Sequence, residues 1–501
     1  MSSAPPSIGT ERGNTNRQLV KNTLYLTVAQ ALTIPLAMVI HAMMGRYLGP
    51  EVLGQIYLAT TVVSFGFLAV EWGSQGSLPA LVARDRKLAE TALGSSFLWR
   101  LVVGVVAYVL LAVGCHLFGY DSTFQWALGL SFLNALVSAY IGACKDAIRG
   151  FERTDIPAVA HVGQQFLSTV LVIAVLILGG KLKLALLSQV VASAVVLFFI
   201  WRSLHSIGIG RLSFEKGTMK AVLREGTPFV FFALAMTLQP YIDALYLSKL
   251  APEDVMGYHA VARRLIGVLL LPASAMIGAL YPTLCRLRDT DPEGFRLTSS
   301  ASLRGVCLLV VPVAVGCALY PDIGVSIFGE EAFGPAEDNL RFLSVFLVLV
   351  YVSMPLGTCI LAAGKQRAWS VVQFLCVFVS LVLDPLLIPY FQTKYQNGGL
   401  GLCIATTLSE LVVVACGVFL APKGVFDLRF GRAVLFALLA GVAMGGFAYV
   451  TRDINSFIMA PVAVAVYVGA LFLTGGVDKQ DRDTMWRYLE PKLRRFRRAS
   501  A

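Results

Sequence analysis

The chain has 501 residues, 57% of them hydrophobic and only 14% charged, a balance too apolar for a soluble globular protein and expected of a polytopic membrane protein. Its formal net charge of +11 would suggest nucleic acid in a soluble chain; in this class it reflects Lys and Arg collected in cytoplasmic loops, and nucleic acid is excluded as a partner. The nine cysteines sit singly in or beside apolar runs, as at Cys115, Cys307, Cys376 and Cys416, without metal-site spacing, and read as small core residues.

Met1 to Lys21 is polar and runs into an apolar segment too long for a signal-peptide core, so the first helix is expected to stay in the membrane. Each crossing needs about 17–25 mostly apolar residues, and on that criterion an all-α fold of about fourteen spans is expected. The first six are Asn22 to Gly45, Gly54 to Ala83, Leu93 to Gly119, Phe124 to Cys144, Ile156 to Leu178 and Leu184 to Trp201. The next six are Gly226 to Ser248, Gly257 to Leu284, Leu303 to Phe328, Leu340 to Ala362, Trp369 to Tyr390 and Leu400 to Leu420. Ala433 to Val450 and Phe457 to Thr474 form an appended pair.

The expected organisation is a cytoplasmic N-terminal segment (1–21), an N-lobe (22–203), a cytoplasmic linker (204–225), a C-lobe (226–421), two extra helices (433–474) and a basic tail (475–501). Alternate connections carry an excess of Lys and Arg, for example Lys145, Arg149 and Arg153, or Arg211, Lys216, Lys220 and Arg224. That asymmetry places both termini in the cytoplasm. In the tail, Trp486, Leu489, Leu493 and Phe496 share a helical face beside Arg494, Arg495, Arg497 and Arg498. This suits either an interfacial basic helix or a disordered basic tail.

One stretch occurs twice. Tyr47-Leu48-Gly49-Pro50-Glu51, with Gly54 and Tyr57 beyond, is echoed about two hundred residues on by Leu250-Ala251-Pro252-Glu253, with Gly257 and Tyr258. Gly49-Pro50 and Gly54 resist helix continuation, so the chain is expected to turn there. Gly150-Phe151-Glu152-Arg153 is matched by Gly364-Lys365-Gln366-Arg367, and Gly179-Gly180 by Gly398-Gly399, in the same order. The two six-helix lobes are therefore expected to be pseudo-symmetric about an axis along the membrane normal.

An ionisable group at the bilayer centre costs about 2.5–3.5 kcal/mol on insertion scales, so each one implies a partner or a water-filled cavity. Arg263 and Arg264 stand in the eighth span, about 10 Å from its outer end, with no acidic residue three or four positions away. They read as an anion site in a cavity, against snorkelling to the headgroups. Arg100, nearer the inner surface, and Arg46, closing the first span, are further cavity cations or simple anchors.

Glu71 precedes Trp72-Gly73-Ser74-Gln75-Gly76 and Pro79, which weaken the helix locally. It suits a proton or cation site, or a structural hydrogen bond. Asp243, Asp384 and Glu410 are the other candidates for ion coupling. The five histidines lack ligand spacing, and Gly357 to Lys365 lacks the glycine pattern and the Ser or Thr of a phosphate loop. No catalytic residue, metal or cofactor is expected, and transport would run on a gradient of H+ or Na+ or on that of the substrate.

Taken in order, Tyr47-Leu48-Gly49-Pro50-Glu51 with Gly54, Gly150-Phe151-Glu152-Arg153 followed by Gln164, Asp243-Ala244-Leu245-Tyr246-Leu247 leading to Gly257-Tyr258, and Leu280-Tyr281-Pro282 carry a resemblance. The chain resembles the Wzx-type polysaccharide transporters of the multidrug/oligosaccharidyl-lipid/polysaccharide exporter superfamily, from about Asn22 to Leu420. Lys145-Asp146 and Glu71-Trp72-Gly73 depart from the family pattern. The resemblance implies a two-lobed helical bundle in the bacterial inner membrane that flips an undecaprenyl-diphosphate-linked oligosaccharide by alternating access. The product would pass to a polysaccharide polymerase, and glycosyltransferases would supply the substrate. A lipid II flippase and a drug exporter are the alternatives within the superfamily. A membrane glycan polymerase or glycosyltransferase would need a sizeable extramembrane domain, and the loops here are short.

Overall fold

The computed structural model describes residues 8–476. Residues 477–501, with the aromatic and arginine faces expected of the tail, lie outside the described residues. Among the latter there is no strand. The helices are α1 (Ile8–Glu71), α2 (Ser74–Arg84), α3 (Ala89–Leu117), α4 (Ser122–Gly150), α5 (Asp155–Ile177) and α6 (Leu182–Ser206). Then come α7 (Lys216–Leu250), α8 (Glu253–Leu269), α9 (Leu271–Thr290), α10 (Pro292–Leu319) and the short α11 (Pro321–Val325) and α12 (Glu330–Phe333). The series closes with α13 (Pro335–Ala362), α14 (Gln366–Tyr395), α15 (Gly398–Leu420), α16 (Leu428–Val450) and α17 (Ser456–Thr474).

Among the described residues, 11 helices can cross a membrane by length and composition, or 12 when the bent pair α8–α9 counts as one span. The chain is a multi-pass membrane protein; the expected fourteen spans are not reached by this count. One reason is local. Val28–Arg84 is counted once, yet its 57 residues would run to about 86 Å as one helix, nearly three hydrocarbon thicknesses. Gly49, at φ 84° and ψ 174°, breaks it, at the turn read from the sequence. The 35-residue α7 is not among the eleven; it carries Pro228, Pro240 and Asp243 along its length.

The chain divides into two compact units at Ala260/Val261, whereas the sequence reading puts the lobe boundary in 204–225. The reason lies in what holds α7 and the start of α8 to α1. A Cβ on Gly54 would lie 2.8 Å from Gly257 N, and one on Gly257 would overlap the Pro50 carbonyl. The two copies of the repeated stretch thus meet backbone to backbone. Gln55 Nε2 donates to Glu253 Oε2 at 2.6 Å beside this contact. Farther along, a Cβ on Gly73 would overlap the Gly226 carbonyl, and one on Gly226 the Trp72 carbonyl. Gly54 therefore lies within helix and serves close approach, while Gly49 makes the turn.

The core of the first unit gathers Leu78 of α2, Leu93 of α3, Ile141 and Ile148 of α4 and Ile200 of α6. In the second unit Leu303, Leu356, Ile360, Val372 and Val413 surround Trp369. A Cβ on Gly357 would fall 2.6 Å from the Trp369 ring, so this glycine seats an indole and belongs to no phosphate loop. The appended helices α16 and α17 pack on α10 through small residues: a Cβ on Gly441 would come within 2.7 Å of Val311. Tyr467 Oη donates to the Leu308 carbonyl at 2.8 Å, the way helices associate where no hydrophobic force drives them together.

Gly257→Ala is expected to destabilise the protein by about 1–3 kcal/mol through overpacking, read as a lower melting temperature in detergent. Gly267→Ala, whose added methyl group meets open space, should leave the melting temperature unchanged.

Candidate functional site

In the first unit, the α1–α2 break organises a buried polar cluster. Trp72 and Gly73 both take positive φ, 42° and 64°, so the helix ladder stops and carbonyls in its last turn lose their partners. Trp99 Nε1 of α3 donates to one of these, the Ala69 carbonyl, at 3.1 Å. Trp72 Nε1 donates to the Leu223 carbonyl of α7 at 3.1 Å, and the two indoles meet edge to face, centroids 5.8 Å apart. Beyond the break, Ser74 Oγ accepts from Arg100 Nη2 at 2.6 Å.

Arg100 is 1% exposed. Snorkelling needs the guanidinium in water, and that is not how this one is solvated. It feels Glu71 and the buried Asp146 of α4 electrostatically, with no direct ion pair to either among the described residues. Asp146 instead pairs with Arg149 at 3.3 Å. Glu71 is half-buried and accepts from Gln75 Nε2 at 3.0 Å. The sequence singles out Glu71 and Arg100 separately, and Lys145-Asp146 only as a departure from the family pattern; that the three charges lie within electrostatic reach emerges from the fold.

The second unit holds the other pair of cations. Arg263 and Arg264 on α8 are both half-buried. The Arg263 guanidinium lies 5.4 Å from the centroid of the Phe346 ring, within cation–π range. It also acts electrostatically on Glu410 of α15, whose carboxylate takes a short hydrogen bond from Ser353 Oγ. Arg263, Phe346, Ser353 and Glu410 therefore converge from α8, α13 and α15. Their helix spacing gives no hint of this, because the partners are about 80 to 150 positions apart in the chain.

Another break lies beside this group. α8 and α9 meet at a 41° bend, and Tyr351 Oη of α13 donates to the Leu269 carbonyl at 2.5 Å. Pro272 stands near the start of α9, inside the stretch that the sequence reading takes as one span, Gly257 to Leu284. Of the remaining candidates, Asp384 is fully buried with Ser380 Oγ 3.3 Å from each carboxylate oxygen. Asp243 on α7 is buried, and Arg46 is exposed near the Gly49 break. No group of three or more His, Cys, Asp or Glu residues suited to a metal ion occurs among the described residues.

This arrangement, a long series of membrane helices with cations and carboxylates inside them, has relatives. The family described as polysaccharide biosynthesis protein matches residues 19–288, more than half of the chain. The chain belongs to this family. The chain is also similar to the probable flippase AglR of Haloferax volcanii, at 27% identity over 242 residues, 47% of this chain and 49% of that one. The match thus spans about half the length of that relative.

Among solved structures, the lipid II flippase MurJ in an inward closed conformation superposes with a TM-score of 0.71 at 14% identity, covering 93% of this chain and 99% of MurJ. An inward-facing multidrug resistance MATE family transporter of the MOP superfamily gives 0.62 at 16% identity, covering 84% and 98%. At such identities the likeness is one of fold. The chain has the all-α fold of MOP superfamily transporters.

Ser74→Ala removes the hydrogen bond to a buried guanidinium and is expected to cost about 1–3 kcal/mol. The measurement is thermal unfolding in detergent, with Ser64→Ala, an exposed helical serine, as the neutral comparison.

Proposed function

We propose that the protein is a flippase that moves an undecaprenyl-diphosphate-linked oligosaccharide across the bacterial inner membrane by alternating access, for surface polysaccharide biosynthesis. The termini lie in the cytoplasm, and a gradient of H+ or Na+ drives the cycle. Glycosyltransferases supply the substrate and a polymerase consumes it.

The observation that carries this reading is the setting of Arg263. Its guanidinium is half-buried in a membrane-spanning helix, over the face of Phe346 and in the field of Glu410, and no hydrogen bond occupies its donors among the described residues. A planar fork of five N–H groups matches the oxygens of a phosphate in a way a neutral or cationic cargo would not exploit. Arg264 is the adjacent cation on the same helix. Glu410 is the best-placed ion-coupling carboxylate, since neutralising it would change the field at Arg263. Glu71, Asp243 and Asp384 are the secondary candidates. Arg100 and Arg46 act on the substrate only if other conformations expose the first or bring the second inward.

The MurJ likeness favours one second reading, a lipid II flippase, because that cargo offers the same diphosphate to the same arginine. The two differ in the sugar, so the test compares both lipids. Purified protein in vesicles should translocate a polyprenyl-diphosphate-linked oligosaccharide faster than lipid II and leave its covalent structure unchanged. Arg263→Ala should lower the rate about tenfold or more, the worth of one charged hydrogen bond, while Arg263→Lys keeps part of it. Wild-type vesicles that leave the lipid in place, or alter it chemically, would refute the flippase reading.

Glu410→Gln is expected to insert normally and to make translocation insensitive to an imposed proton or sodium gradient. Translocation that still accelerates with the gradient moves the coupling site to another carboxylate.

A further inference from the structure

The connection from α6 to α7, residues 207–215, is the piece of chain that would have to give way if α7 parted from the six helices before it. It has no slack. Ile209 is buried in the core of the first unit with Leu93, Leu204 and Val222. The next two residues, Gly210 and Arg211, both donate their backbone N–H groups to Oε1 of Glu90 in the first turn of α3, at 2.8 and 3.1 Å. A carboxylate acceptor makes such bonds stronger than neutral ones. Two residues further, the Ser213 N–H donates to the Glu90 carbonyl at 3.4 Å, and a Cβ on Gly94 would overlap the Ser213 carbonyl. The connection therefore lies backbone to backbone along the start of α3.

Pinning at Ser213 restrains α7. From Ser213 to Lys216, where α7 begins, three steps of chain reach about 10 Å at full extension, so the start of α7 cannot leave α3 while the connection stays down. The turns that follow are held as well. Thr218 Oγ1 donates to Glu215 Oε2 at 2.7 Å, Val222 enters the same core as Ile209, and Trp72 Nε1 and the Gly73–Gly226 approach fix the next turn against α1 and the break after it. Every anchor belongs to the first unit.

We propose that the α6–α7 connection is a staple and not a hinge, and that α7 keeps its place against α1 and α3 through the whole transport cycle. The boundary of the moving parts then falls after α7, although the duplicated sequence would put it before. The proposal rests on the flippase reading only where it speaks of a cycle; the staple itself is a property of the first unit.

The test makes the staple covalent. A Cβ on Gly210 would lie 3.9 Å from Glu90 Oε1, so E90C and G210C together can be bridged by a short bifunctional thiol reagent that a reductant cleaves, with C285S removing an exposed native cysteine. In vesicles containing a polyprenyl-diphosphate-linked oligosaccharide, the bridged protein is expected to translocate the lipid within about twofold of the rate after reduction. Translocation that stops on bridging and returns on reduction overturns the proposal, because the connection would then have to open.

Hydrogen exchange on the wild-type protein decides the staple without transport. The amides of Gly210, Arg211 and Ser213 are expected to exchange at least about tenfold more slowly than unprotected amides, with and without the lipid-linked oligosaccharide, and E90A to abolish that protection. Exchange at the unprotected rate in the wild type, or protection that the lipid removes, overturns the proposal. Wild-type vesicles that move no lipid count against the flippase reading alone, and exchange then settles the staple by itself.

Discussion

Backbone meets backbone twice, at Gly54 of α1 against Gly257 of α8 and, in the break just past α1, at Gly73 against Gly226 of α7. These contacts are 19 residues apart in the chain, about 29 Å at helical rise, close to the thickness of the hydrocarbon core. Between them the side chains form a continuous seam: Gln55 with Glu253, Phe65 edge-on to Tyr241, and Trp72 with the Leu223 carbonyl. Arg84 extends it by a 2.8 Å ion pair to Glu225. Because glycine removes the Cβ at each contact, α1 approaches the start of α8 at one end, and the break after α1 approaches α7 at the other, as closely as helices can. This is why α7 belongs with the first six helices although its sequence opens the second repeat.

The same residue type is put to two uses. Arg100 is enclosed, and its guanidinium steadies the residues just past a broken helix through Ser74. Arg263 is half-open, lies over an aromatic face and has a carboxylate within electrostatic reach. Both carry a charge into the membrane at similar intrinsic cost. What separates them is enclosure: Arg100 is shut in with one hydrogen bond, to Ser74, its Nε and Nη1 having no partner, whereas Arg263 is left half-open. The distinction depends on neighbours contributed by α2 in one case and by α13 and α15 in the other.

Much of this was legible in the sequence because it rests on short-range rules. The all-α membrane fold follows from apolar run lengths, the Gly49 break from Gly-Pro chemistry, and the weakness after Glu71 from Trp72-Gly73 and the residues that follow. The duplicated stretch was visible as letters. That its two copies touch was not, since close approach of backbones leaves only glycines behind, and glycine has many other reasons to occur. The Gly150 and Gly364 turns show a related limit: each contains a left-handed residue, but it is Glu152 in one and Gly364 itself in the other, so the likeness is of turns and not of positions. The Arg263 to Glu410 group was hidden for a topological reason, because its members come from three helices well separated in the chain.

The α1–α2 and α8–α9 breaks share one more property. At each break a carbonyl that has lost its place in the ladder is already bound by a ring donor from a neighbouring helix, Trp99 on Ala69 and Tyr351 on Leu269. Elsewhere, bending a membrane helix further would strand a polar group in oil, at a cost of several kcal/mol. At these two joints the expense has been met by residues on other helices, so a change of angle there sacrifices no ladder bond. Each of these two joints lies beside charged groups, Glu71 and Arg100 in the first unit and Arg263 in the second, so the angle between helices can change there without uncovering a carbonyl.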